Sequence, residues 1–327
     1  MTYSNPYTDQ SFIGFFYTLL TRLWSLLTGN AVPDTLATDE IQLLVLAGVA
    51  ISCAILGVFL VFRKMTMLAN ALSHTILLGI VAAFLWTQSH HLANAFEGVV
   101  NETALLVAAL AMGLLTTFLT ELLSKGFGLQ EDASTGVVFT SLFALGVIAV
   151  TLLTRDAHIG LEAVMGNVDA LQAHDMRLVY ITVVINSISL ILFYKEFAIT
   201  TFDPALSRSF GIPNGFYNYL LMVLVSITAI AAFRAVGVLM VLAFFTGPPL
   251  TAKLLAKNLS QAICLAALFG IGSALLGVAL ARHVLTAYGV SLSTGGVCVC
   301  AIVLLYLGTL ICTKWTMKTF MKSPLSS

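Results

Sequence analysis

Apolar runs near the length of a bilayer crossing constrain this chain more than any other feature. They lie at about 41–62, 72–87, 103–120, 135–153, 178–194, 216–233, 235–256, 260–281 and 290–312. A helix needs about 20 apolar residues to cross the hydrocarbon core. Only helices and closed barrels satisfy every backbone N–H and C=O there. The runs therefore predict an all-α polytopic membrane protein with about eight to ten transmembrane helices. The pair 216–256 reads as two spans broken only at Arg234. Composition agrees: 59% of residues are hydrophobic and 9% charged, against roughly 25% charged in soluble domains. A net charge of zero argues against nucleic acid as a partner.

The ends read differently. Residues 11–28 are apolar and aromatic but interrupted by Arg22, which fits an interfacial helix with Tyr17 and Trp24 near lipid headgroups better than a span. The chain thus divides into an outward N-terminal segment (1–40), a transmembrane domain (41–313) and a cytoplasmic tail (314–327). No basic stretch precedes the first apolar run, so a cleaved signal peptide is not expected. Cys53, Cys264, Cys298, Cys300 and Cys312 all fall in apolar segments without zinc-site spacing, and read as small packing residues. Alternating the spans with residues 195–213 in the cytoplasm puts ten Lys and Arg residues inside and five outside, the expected positive-inside bias.

That inner loop holds a polar island, Thr201-Phe202-Asp203-Pro204-Ala205-Leu206-Ser207-Arg208-Ser209-Phe210-Gly211-Ile212-Pro213. Asp203 is suited to an N-cap, Pro204 to the first helical position, and Gly211 with Pro213 to a stop. The result is a helix of about two turns with Leu206 and Phe210 on one face. It is either a capped connector or a piece that docks on something at the membrane surface.

Ionisable groups are nearly missing from the spans, and those retained in hydrocarbon tend to be functional. Neither a midplane carboxylate for ion coupling nor a GxxxxGK[ST] phosphate loop is present. A transporter lacking both must draw energy from a partner. His74 is the one titratable side chain well placed in a span. A neutral imidazole is a good ligand for zinc, manganese or iron. It serves equally well as a hydrogen-bonded packing residue. Asn70, one turn earlier, can supply an oxygen or orient the ring. His90 and His91, and His158, His174 and Asp175 with Asp156, Glu162 and Asp169, form acidic, His-bearing outward loops that either attract cations or are simply solvated. Glu131-Asp132 reads as helix capping. Gly247-Pro248-Pro249 reads as a break that frees carbonyls and either lines the pathway or is simply a kink.

These segments together resemble the permease subunits of bacterial ABC importers for zinc, manganese and iron. The resemblance runs in order from about 41 to 312. It is carried by Gly57 through Met65 with the Arg63-Lys64 pair, by Ser73-His74, and by Glu131-Asp132 followed by Gly136-Val137-Val138-Phe139 and Ala144-Leu145-Gly146. Phe202-Asp203-Pro204 through Gly211, Gly237-Val238-Leu239 leading to Pro248 and Thr251-Ala252, and Thr294-Gly295 complete it. It implies a cobalamin-importer-like permease fold in a bacterial inner membrane. Phe202, Asp203, Pro204, Leu206, Arg208, Phe210 and Gly211 would form the coupling helix seated on an ABC ATPase present in two copies. A second permease chain, the same or different, and an extracytoplasmic metal-binding protein would complete the assembly in membrane lipid. A divalent metal ion would be cargo rather than a permanent cofactor, ATP hydrolysis would belong to the partner, and His74 with Asn70 would line the pathway. Two departures stand out. Asn70 occupies a position where the family commonly has Asp, and Leu78 precedes Gly79 where the family often has Pro. Losing that carboxylate weakens hard-cation binding and suggests an asymmetric pathway shared with a different permease chain. The rival class is a secondary carrier or channel for a metal or small solute, which needs no ATPase.

Overall fold

The computed structural model describes residues 6–7, 10, 12–28, 37–67, 70–71, 74–75, 78–79, 81–82, 102–153, 166, 168–171 and 173–322. Its helices are α1 (Phe12–Leu27), α2 (Thr38–Phe62), α3 (Glu102–Glu121), α4 (Glu131–Leu153), α5 (Ala173–Phe202), α6 (Pro204–Ser209), α7 (Asn214–Val236), α8 (Val238–Leu255), α9 (Leu259–Tyr288) and α10 (Thr294–Lys322). A π-helical turn, Leu122–Gly126, ends α3, and a 3₁₀ turn, Val168–Ala170, precedes α5. The described residues between 67 and 82 are helical. Among the described residues, seven helices have the length and composition to cross a membrane.

Three boundaries differ from the sequence reading. The span expected to end near 194 does kink there, at Phe193 (φ −114°, ψ 22°), and a second helical stretch then carries α5 on to Phe202. Lys195, Glu196, Thr200 and Thr201 lie beyond that kink in the second stretch, which Asp203-Pro204 ends. The break between α7 and α8 falls at Gly237 (φ 84°), while Arg234 lies within α7's last turn. A charge does not break a helix; a positive φ does. Pro248 and Pro249 lie inside an unbroken α8. The Thr251 hydroxyl donates to the Gly247 carbonyl at 2.9 Å.

The chain forms two compact units. In the first (Met1–Val58, Asn167–Val184, Ala243–Ser327), helices meet at small residues. A Cβ on Gly277 of α9 would lie 2.1 Å from Cys298 Sγ of α10, and one on Gly57 of α2 would lie 2.4 Å from the Phe245 carbonyl of α8. Pro249 has no N–H for that carbonyl, so the Gly57 contact lies against an acceptor already freed. Cys298 and Cys53 are buried, as packing residues should be, whereas Cys264, Cys300 and Cys312 are exposed.

The N-terminal segment is fastened to the start of α2 by Glu40, which is 1% exposed. Its carboxylate accepts from the Tyr7 hydroxyl and the Ala37 amide, both at 2.8 Å, and pairs with Arg22 of α1. Burial, then the bond to Glu40, pushes the Tyr7 phenol well above its ordinary range, so it remains a donor. Asp39 pairs with Arg282 of α9 at 3.1 Å. On the opposite face of α1, Ile13, Tyr17, Leu20 and Trp24 are exposed at spacings of three and four.

In the second unit (Phe59–Gly166, Ile185–Leu242), Met112 of α3 and Val138 and Leu142 of α4 form a buried cluster lined by Leu78, Leu119 and Leu123. Asn186 of α5 donates to Thr228 of α7 at 2.7 Å, and Thr116 to Thr75 at 3.0 Å. Such bonds between apolar helices satisfy groups that hydrocarbon cannot.

Gly277→Ala should cost about 1–3 kcal/mol by overpacking against Cys298, seen as a lower unfolding midpoint in detergent. Gly272→Ala, on the same helix with open space at its Cβ, should leave the midpoint unchanged or slightly raised.

Candidate functional site

The polar island folds as a separately capped helix in the second unit. Asp203 Oδ1 accepts from the Ala205 and Leu206 amides at 3.1 and 2.9 Å, and Pro204 takes the first turn. The other end is a Schellman stop. Ile212 N donates to the Ser207 carbonyl at 2.9 Å, Gly211 N donates to Arg208 at 3.1 Å, and Gly211 has φ +72°. Asn214 at the head of α7 closes the loop: its amide donates to the Pro204 carbonyl at 2.7 Å and its oxygen accepts from Ser207. Ser207 is buried under this arrangement. A helix of six residues has too few internal bonds to hold itself; caps and Asn214 hold it instead.

What it presents is apolar. Phe202, Leu206 and Phe210 are 57%, 45% and 68% exposed. Fixing exposed apolar side chains on a rigid polar frame suits a surface that another protein covers. Beside it, Lys125 of the π-turn pairs with Glu121, and its Nζ lies 3.2 Å from where a Cβ on Gly215 would stand.

The second candidate, His74, stands against two phenyl rings of α4, Phe139 at 5.1 Å and Phe143 at 5.3 Å between centroids. The imidazole is partly exposed, and Asn70, also helical, lies four residues earlier in sequence. Among the described residues, no group of three or more His, Cys, Asp and Glu could hold a metal ion. His90, His91, Asp156, His158 and Glu162 lie outside the described residues, as does the side chain of His174. Asp169 caps α10, accepting from the Thr294 hydroxyl and amide.

Sequence reasoning found the capped helix but missed what grips its flanks. The Arg63 guanidinium at the end of α2 donates to Thr200, Thr201 and Asn218. The Arg63-Lys64 pair was visible, but its acceptors lie far away in sequence.

Comparison with known proteins places the fold. Residues 39–313 match the family described as the ABC 3 transport family. The chain belongs to that family. A "Probable metal transport system membrane protein" of Chlamydia muridarum is 40% identical over 94% of each chain. The manganese transport system membrane protein MntD of Bacillus subtilis is 38% identical over 70% of this chain and 78% of its own. Among solved structures, PsaBC from Streptococcus pneumoniae, in complex with Fab, aligns with a TM-score of 0.66 and 25% identity, covering 83% of this chain and 90% of its own. A putative metal-chelate type ABC transporter at 16% identity and a TM-score of 0.61 shares the fold. The family match begins at residue 39, so α1 precedes it.

Asp203→Ala removes the acceptor for two first-turn amides and should cost the helix about 1 kcal/mol. Amide exchange at Ala205 and Leu206 should then quicken about fivefold. Unchanged exchange would mean that Asn214 alone holds the helix.

Proposed function

We propose that this chain is the transmembrane permease subunit of an ATP-driven importer of divalent metal ions, manganese, zinc or iron, in a bacterial inner membrane. The observation that carries the reading is α6, a short helix capped at both ends that, with the residues flanking it, leaves Phe202, Leu206 and Phe210 exposed. Family membership and relatives named for manganese and metal transport give the reading its class.

In this reading α6 is the coupling helix, seated in a groove of a separate ABC ATPase. Two permease chains, the same or different, enclose the pathway, and two ATPases lie beneath them. An extracytoplasmic binding protein delivers the metal and sets most of the selectivity. The apolar stripe of α1 rests in the outer lipid interface, where Tyr17 and Trp24 suit the headgroup level. ATP binding draws the ATPases together and moves the coupling helices, switching access to the pathway. His74 enters as a single neutral imidazole ligand for an ion in transit, oriented by its packing on Phe139 and Phe143, with Asn70 as its neighbour in place of a carboxylate. Ions held by few donors leave readily, which a pathway requires.

Asp203→Lys combined with Leu206→Glu should abolish co-purification of the ATPase while the permease still elutes as a folded, monodisperse species. Retained ATPase would reduce α6 to a capped connector and favour a secondary carrier. For the pathway, His74→Phe keeps ring packing but removes the ligand. Metal uptake should fall at least tenfold at equal membrane abundance, and wild-type uptake would remove His74 from the pathway.

A further inference from the structure

Arg63 sits where α2 ends, and its backbone is fixed there by an unusual stop. Lys64 has φ 62°, the one positive φ outside glycine among the described residues. Met65 N donates to Leu60 at 2.9 Å and Lys64 N to Val61 at 3.3 Å, a Schellman closure without glycine. A side chain in that region costs energy and persists only where its surroundings demand it. Here the surroundings hold the guanidinium on three acceptors. Nε donates to Thr201 Oγ1 at 3.0 Å, Nη2 to Thr200 Oγ1 at 2.9 Å and Nη1 to Asn218 Oδ1 at 2.6 Å. The two threonines end α5 immediately before the capped helix; Asn218 lies in the first turns of α7 immediately after it. Ring contacts run alongside, Phe62 on Phe202 at 5.2 Å and Phe59 on Phe197 at 5.6 Å.

We infer that Arg63 is a positioning residue for energy coupling: it fastens both flanks of α6 to the end of α2, so that a displacement of α6 is passed to that helix instead of being absorbed in the loop. The inference rests on the coupling-helix reading above. The planar fork is what the site uses, because it offers donors at fixed angles to acceptors on two helices at once. A lysine keeps the charge but is a single point donor on a flexible stem. The three acceptors are two hydroxyl oxygens and an amide oxygen, so what they require of Arg63 is the placement of its donors.

The test is Arg63→Lys in the purified permease–ATPase complex, reconstituted in proteoliposomes with its binding protein, with Mn²⁺ uptake and phosphate release measured together. The expected result is ATPase content within twofold of wild type and Mn²⁺ transported per ATP lowered at least fivefold. Thr200→Val with Thr201→Val, which leaves Arg63 in place but removes two acceptors, should lower the same ratio. A ratio within twofold of wild type in both variants would overturn the inference. Loss of the ATPase from the Arg63→Lys complex would also overturn it, placing Arg63 in docking instead of transmission. If the Arg63→Lys permease itself fails to fold and reach the membrane, a normal ratio in the threonine variant alone overturns it. The docking variant of the previous subsection reads association and these variants read stoichiometry, so either reading can fail visibly without the other.

Discussion

In hydrocarbon a peptide group has no water to turn to, and the architecture follows from that shortage. Long helices satisfy their own backbone, but their ends and their prolines leave groups over, and the chain disposes of those locally. Phe245's carbonyl, which loses its donor to Pro249, lies against Gly57. Because lipid is as apolar as a leucine side chain, helices gain little by mere contact and must approach closely to profit from dispersion. Gly277 against Cys298 and Gly57 against Phe245 are the result.

Polar side chains are then confined to places where each has a defined task. At the start of α2, Glu40 gathers Tyr7, Arg22 and the Ala37 amide, and so ties the N-terminal helix to the bundle. A buried carboxylate with that many donors is well compensated, whereas one with its partners removed would be costly. At the end of α2, Arg63 gathers Thr200, Thr201 and Asn218. The contrast between the two ends is informative. Glu40 fixes a segment that lies before the family match, while Arg63 grips the flanks of the helix that the functional reading turns on. From the end of α5 through α6, Phe202, Leu206 and Phe210 are exposed on a capped frame.

The membrane-spanning class and the capped helix were legible because both rest on short-range rules. An apolar run of sufficient length has few fates in a bilayer, and Asp203-Pro204 with Gly211 carries its own start and stop. Where the reading went astray, Arg234 continues α7, which ends at Gly237, because what ends a helix is backbone geometry; α5 kinks at Phe193, one residue from the expected end, and Lys195 and Glu196 lie in the stretch beyond. Of the alternatives for Pro248-Pro249, a full break is excluded, since α8 carries both prolines.

What the sequence alone determined is therefore the helical membrane-spanning class, the capped island and the likeness to metal-importer permeases, since each depends on residues within a few turns of one another or on their order. Tertiary structure decided which helix touches which, and so which polar residue has a partner. Arg63 and its acceptors are separated by 137 to 155 residues, and Asp169 and Thr294 by 125. No local pattern specifies such pairings, because they are set by how closely small residues let the helices approach and by the cost of leaving a polar group unbonded in an apolar fold.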